Sequence, residues 1–188
     1  AKPGDTIKLQ RGYHMLTPFD CDYKEKWHID FTKSLHITAD DALTPQDVHI
    51  GFDTRADISW YEEAYLHVKG SAEVSFSNLS FAFPGGSIPS AVARVDGGAL
   101  QFDGCVLAPM GKCHHQQFIG RDKMNESVMG EIRVSGGRLN MHGCTLRDSA
   151  GSAISVDPQG AQVCVTLCCI TSCGRGHIDA HDAPWWKP

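Results

Sequence analysis

Ala99-Leu100-Gln101-Phe102-Asp103-Gly104-Cys105-Val106-Leu107 returns in close copy as Arg138-Leu139-Asn140-Met141-His142-Gly143-Cys144-Thr145-Leu146. A Gly-Gly pair leads each copy (Gly97-Gly98 and Gly136-Gly137), and a short β-rich run ending at Val95 or Val134 precedes the pair. Two looser copies flank them, Val74 to Phe81 and Val163 to Ile170. The shared frame is apolar, any, apolar, two residues, Leu or Cys, any, apolar. Leu79 to Cys105 is 26 residues and Cys144 to Cys168 is 24. Cys105 to Cys144 is 39, one period plus an insertion supplied by the polar stretch at about 110–128. A repeat this short cannot bury its apolar face alone, so successive copies must stack.

The copies contain short strands separated by tight turns, with no helical period of useful length between them. Stacking would pair each strand in parallel with its equivalent in the next copy, about 4.8 Å away. Equivalent residues would then form ladders. One is Leu79, Cys105, Cys144, Cys168; a second is Phe76, Phe102, Met141, Val165; a third is Phe81, Leu107, Leu146, Ile170. The expected fold is therefore all-β, a parallel β-helix of about six or seven short coils in a stack of roughly 30 Å. A β-sandwich also uses short strands but does not explain copies at a near-constant interval. Glycines 97, 98, 136 and 137 suit turns of positive φ. Asp57 to Tyr65 is read as a possible short helix in an otherwise strand-built chain. The domain is expected to span residues 1–176, with 177–188 as a cap or linker.

The chain has 188 residues and a formal charge of −5, from 17 Lys plus Arg against 22 Asp plus Glu. That balance argues against a general nucleic-acid or anionic-membrane binder. No apolar run approaches the length of a membrane-spanning helix, and the first residues carry no signal-peptide pattern. Eight cysteines could suggest a disulfide framework. Three of them, however, share a slot that Leu79 fills in the first copy, so the slot is buried and apolar. Reduced core cysteines favour an intracellular protein. The sequons at Asn78 and Asn125 are short enough to arise by chance.

Lys2-Pro3-Gly4-Asp5-Thr6-Ile7-Lys8-Leu9-Gln10-Arg11-Gly12-Tyr13 resembles the opening coil of pectin-lyase-like right-handed β-helices. The Gly-Gly-led copies and Asp148-Ser149-Ala150-Gly151-Ser152-Ala153-Ile154-Ser155-Val156 resemble CASH-type repeats (carbohydrate-binding and sugar-hydrolysis). Such repeats occur in bacterial polysaccharide enzymes, in F-box-only ubiquitin-ligase adaptors and in Shc SH2-domain-binding, spindle-associated proteins. The likeness runs from Lys2 to Gly176 and is weakest between residues 14 and 64. It implies a right-handed solenoid. It leaves function open, because this fold carries lyases, hydrolases, adhesins and binding domains.

His67, Arg94, Arg133 and Ser155 each precede the valine that closes the first strand of a copy (Val68, Val95, Val134, Val156), so this row should face outward. A polysaccharide lyase needs a base and a cation on neighbouring coils, and His67, Arg94 and Arg133 are the catalytic candidates in that reading. Solvated strand faces also carry such charges. Calcium-dependent lysis would need aligned carboxylates. Asp96 and Asp157 fall in equivalent places, but Lys69 and Ser135 occupy the others. Asp103, Asp148 and Asp157 do not align as a hydrolase would require. Cys113-His114-His115 and Cys173, His177, His181 are zinc-type residues without the paired close spacings of a structural zinc site, so neither a metal nor another cofactor is expected. Trp185-Trp186 and Trp60-Tyr61 suit either packing or sugar contact.

The leading expectation is a non-catalytic intracellular module presenting an outer face to a protein or peptide partner. Its binding surface would comprise His67, Arg94 and Arg133 with His114, His115, Arg121 and Lys123 of the insertion. The alternative is a carbohydrate-active enzyme or sugar-binding module that uses the same row.

Overall fold

The computed structural model describes residues 2–16, 29–52, 64–82, 91–108, 130–147, 152–157, 160–171 and 178–180. These residues form an all-β structure with no helix, and each strand pair among them is parallel. The strands are β1 (Asp5–Leu9), β2 (Gly12–Leu16), β3 (Ile29–Phe31), β4 (Leu35–Ala39), β5 (Val48–Phe52), β6 (Ala64–Val68), β7 (Glu73–Ser77) and β8 (Ser80–Ala82). They continue as β9 (Ala91–Asp103), β10 (Val106–Ala108), β11 (Gly130–His142), β12 (Thr145–Arg147), β13 (Ser152–Val156), β14 (Ala161–Thr166), β15 (Cys169–Thr171) and β16 (Ile178–Ala180). The short helix expected at Asp57 to Tyr65 lies mostly outside the described residues. Its last two positions, Ala64 and Tyr65, are strand.

The pairings sort into three columns. One runs β3, β6, the first half of β9, the first half of β11, β13, β16. The second runs β1, β4, β7, the second half of β9, the second half of β11, β14. The third runs β2, β5, β8, β10, β12, β15. The long strands β9 and β11 pass through the Gly-Gly corner without a break and so join the first two columns into one sheet. The chain visits the columns in turn and returns to the first, which is why every neighbour in a column lies one repeat away.

The ladders expected from the repeat are present in register. Phe76 pairs with Phe102, Phe102 with Met141, and Met141 with Val165. Phe81 pairs with Leu107, Leu107 with Leu146, and Leu146 with Ile170. Leu79 and Cys105 are fully buried and Cys144 nearly so. Together with the Leu66, Ala93, Ile132, Ile154 row and the Val68, Val95, Val134 row they make one continuous core. Alternation in the strands sends these residues inward and their neighbours outward. Burial fades at the ends of the stack. Ile7 on β1 is 37% exposed, and Val163 and Val165 on β14 are half-buried, since β1 and β14 each pair along one edge only among the described residues.

The expectation of four positive-φ corner glycines is corrected. Gly98 and Gly137 have φ of 66° and 71°, whereas Gly97 and Gly136 do not adopt positive φ. Gly97 is instead required by crowding, because a Cβ there would sit 2.7 Å from the Gly70 carbonyl oxygen. The alignment of Ser135 with Asp96 is corrected too. A register shift after Val134 sets Gly136, not Ser135, opposite Asp96.

A second turn recurs before the buried Leu/Cys slot. Asn78, Gly104, Gly143 and Leu167 all take φ between 54° and 61°. Each of the first three donates its backbone N–H to the next level, to Asp103 O, His142 O and Thr166 O. Leu167 is the exception in residue type. It is 83% exposed, so its side chain packs on little while its backbone is left-handed. A left-handed conformation costs an ordinary L-residue about 1–2 kcal/mol, partly offset by the greater unfolded-state freedom of glycine. Leu167→Gly should therefore raise unfolding free energy by about 0.5–1 kcal/mol, read as a higher urea midpoint at unchanged slope.

Candidate functional site

The outer face of the first column carries the row anticipated from the sequence, and the register extends it at both ends. Asp30 pairs with His67, His67 with Arg94, Arg94 with Arg133, Arg133 with Ser155, and Ser155 with Asp179. The valines that follow, Val68, Val95 and Val134, are fully buried. Strand alternation therefore turns His67, Arg94 and Arg133 outward. Ser155 belongs to the row by register, yet only 2% of it is exposed.

His67 is the centre of a charge network. Its Nε2 lies 2.6 Å from Asp96 Oδ2 and its Nδ1 3.4 Å from Asp30 Oδ1. Lys69 Nζ reaches Asp30 Oδ1 at 2.8 Å, and Arg94 Nε donates to Asp96 Oδ1 at 2.7 Å. The result is a chain of contacts, Lys69–Asp30–His67–Asp96–Arg94, in which each carboxylate lies between His67 and a cation. The imidazole side chain is only 13% exposed. Burial is the largest influence on it and lowers its pKa, although the hydrogen bond to Asp96 and the Asp96 charge pull the other way. For Asp96, burial alone would raise the pKa, but the hydrogen bonds from Arg94 and His67 outweigh it and hold the carboxyl below its ordinary value. Arg133, one level on, is exposed and meets no carboxylate among the described residues.

Both shifts give the same sign of pH dependence. The fold prefers neutral His67, so its contribution is complete above the unfolded value and is lost as pH falls through the lowered folded pKa. Asp96 adds a second loss at lower pH, beginning below its unfolded value. In Asp96→Asn the upward influence on His67 is removed while burial remains. The His67 imidazole, followed by NMR, should then titrate at lower pH than in the wild type. A higher value would contradict the network as described.

The row thus brings together His67, Arg94 and Arg133 as expected. The residues missed were Asp30, Lys69 and Asp96 in their actual role. Asp30 stands in the part of the chain where the repeat is least regular. Asp96 lies beyond the strand's last buried valine, and its side chain turns back to bridge two levels. His114, His115, Arg121 and Lys123 lie outside the described residues, as do Trp60, Tyr61, Cys113, Cys173, His177, His181, Trp185 and Trp186. Among the described residues no group of three or more His, Cys, Asp or Glu is disposed to hold a metal ion. No helix among them is long and apolar enough to cross a membrane. The five described cysteines, Cys105, Cys144, Cys164, Cys168 and Cys169, are thiols.

Compared with known proteins, no family model, no curated protein and no solved structure matches the chain.

Proposed function

We propose that the chain is a right-handed parallel β-helix of about six or seven coils, of the pectin-lyase-like, CASH-repeat kind, that works as a non-catalytic protein-interaction module inside the cell. The observation that carries this reading is the enclosure of His67, 13% exposed, between Asp96 and Asp30, each of which a cation already engages. A general base needs a nitrogen or carboxylate free to reach substrate. Both ring nitrogens of His67 face carboxylates, and Asp30 and Asp96 are in turn engaged by Lys69 and Arg94. Such an arrangement stiffens a face rather than opening a reaction centre. Beside it stands Arg133, exposed, on the strand that begins directly after the 109–129 segment holding His114, His115, Arg121 and Lys123. Positive charge on a rigid outer wall suits an acidic protein or peptide segment.

A carbohydrate-active role is the second reading. One feature favours it: Asp30 and Asp96 flank the same imidazole on one outer face, where two carboxylates could act on a sugar.

Affinity capture from cell lysate followed by reconstitution with the purified partner separates the two. The interaction reading expects a stable complex that is lost in Arg133→Glu and when residues 112–123 are replaced by a Gly-Ser linker. Incubation with acidic polysaccharides, followed by ultraviolet absorbance for unsaturated product and by reducing-end assay, tests the enzyme reading. Turnover that disappears in Arg133→Ala or Asp96→Asn would overturn the proposal.

A further inference from the structure

The slot shared by Leu79, Cys105, Cys144 and Cys168 places three thiols on consecutive levels of the stack. The levels are tied by backbone hydrogen bonds, Thr145 N–H to Cys105 O and Cys169 N–H to Cys144 O, both 2.9 Å. Adjacent parallel strands lie about 4.8 Å apart, within the Cα separation of roughly 4.4–6.8 Å that a disulfide spans. Cys168 Sγ is 3.4 Å from the Cys144 backbone nitrogen, so the thiol of one level lies against the residue of the next. We propose that Cys144 and Cys168 form a thiol–disulfide exchange site, in which Cys168 is the entry thiol and Cys144 the resolving one, oxidised by small-molecule disulfides of the glutathione class.

The three thiols are not equivalent. Cys105 is 0% exposed and Cys144 1%, and both sit between levels paired on two sides. Cys168 is half-buried and belongs to the turn between β14 and β15, which pair on one side only among the described residues. A disulfide needs Cβ atoms closer than the spacing of an undistorted ladder, so one level must tilt. Among the described residues the Cys168 turn lies between two strands paired on one side only, so it tilts at the lower cost, which selects Cys144–Cys168 over Cys105–Cys144. The exposed thiols Cys164 and Cys169 are opposite Asn140 and Thr145 and find no cysteine across the ladder.

The exchange balances in two steps. The Cys168 thiolate attacks the small disulfide, forming a mixed disulfide and releasing one small thiolate. The Cys144 thiolate then attacks Cys168 Sγ and expels the second. Two protein thiols are oxidised to one disulfide, one small disulfide is reduced to two thiols, and the two protons leave with them. The electrostatics favour the second step. The hydrogen bond from Cys105 is the largest influence on Cys144 and, against the opposing effect of burial, brings its thiol down to about 7. Burial pushes Cys105 well up and Cys168 up, so Cys105 stays inert and the entry step is the slower one.

The test is incubation of the folded chain with glutathione disulfide, followed by intact mass and peptide mapping. The wild type should accumulate a Cys144–Cys168 link, seen as loss of two hydrogens. That link should persist when Cys164 and Cys169 are both replaced by Ser, and should be lost in Cys168→Ser. Cys144→Ala should hold glutathione on Cys168 as a stable adduct, with folding checked by circular dichroism. Cys105→Ala removes the influence that lowers the Cys144 thiol, so in that background the link should still form but more slowly, with the Cys168 adduct accumulating first. A wild type that keeps glutathione on Cys168 without resolving it, forms no adduct, or links any other pair would overturn the proposal.

Discussion

Phe102→Ala lowers the unfolding free energy by about 3–5 kcal/mol, the usual cost of emptying a fully buried aromatic site. The site is the centre of the core. Phe102 is 0% exposed and stacks on Phe76 with ring centroids 5.5 Å apart and planes at 17°, while Phe81 meets it edge-on at 5.6 Å and 86°. Phe76 and Phe102 face each other because the repeat puts them in one ladder, and Phe81 joins them from the third column. The neighbours cannot collapse into the void, since each is held by parallel pairing on both edges. Urea unfolding of the variant should show a lower midpoint at nearly unchanged slope. Because Phe76 and Phe102 touch, the double variant should lose less than the sum of the single losses. A loss under about 1 kcal/mol in Phe102→Ala would mean that the ladder is not packed as described.

The second large effect is expected at the corner joining the first two columns. Gly98 has φ of 66°, and a methyl there would overlap the Ala72 carbonyl oxygen and come within 2.9 Å of the Ala72 nitrogen. That carbonyl accepts the Ala99 N–H at 2.8 Å, so relieving the clash breaks the hydrogen bond between levels. Gly70 supplies the control. Its φ is 64°, but nothing lies within 4 Å of the added methyl. Gly70→Ala therefore carries only the backbone cost, about 1–2 kcal/mol. Gly98→Ala adds overpacking and a lost hydrogen bond, and should destabilise by about 3 kcal/mol or more. The comparison separates backbone strain from crowding, since the two φ values are nearly equal. Equal losses at the two positions would show that the corner can open at no cost.

The spacing of apolar residues carried most of the architecture. A slot that accepts Phe76, Phe102, Met141 and Val165 at repeat intervals has no other economical explanation than stacking, and strand alternation then assigns the outward row His67, Arg94, Arg133 without coordinates. Burial is a property of the repeat, and so it is legible in any one copy. The failures have a common cause. Gly97 and Gly136 look identical to Gly98 and Gly137 in sequence, but which glycine needs positive φ and which needs an absent side chain depends on the backbone of the level below. The register shift after Val134 displaced Ser135 from the Asp96 position for the same reason.

Sequence alone determined the parallel stacking, the core ladders and the side of the strand on which His67 stands, because each follows from a period of two within a period near 24. Only the tertiary structure decided what surrounds His67. Asp30 and Asp96 come from different levels of the stack, and their carboxylates reach the imidazole through side-chain directions that no periodicity encodes. The same holds for the thiols. Their shared slot was visible as a pattern, but that Cys168 is half-buried between strands paired on one side only among the described residues, with Cys144 buried beneath it, emerges from three-dimensional pairing.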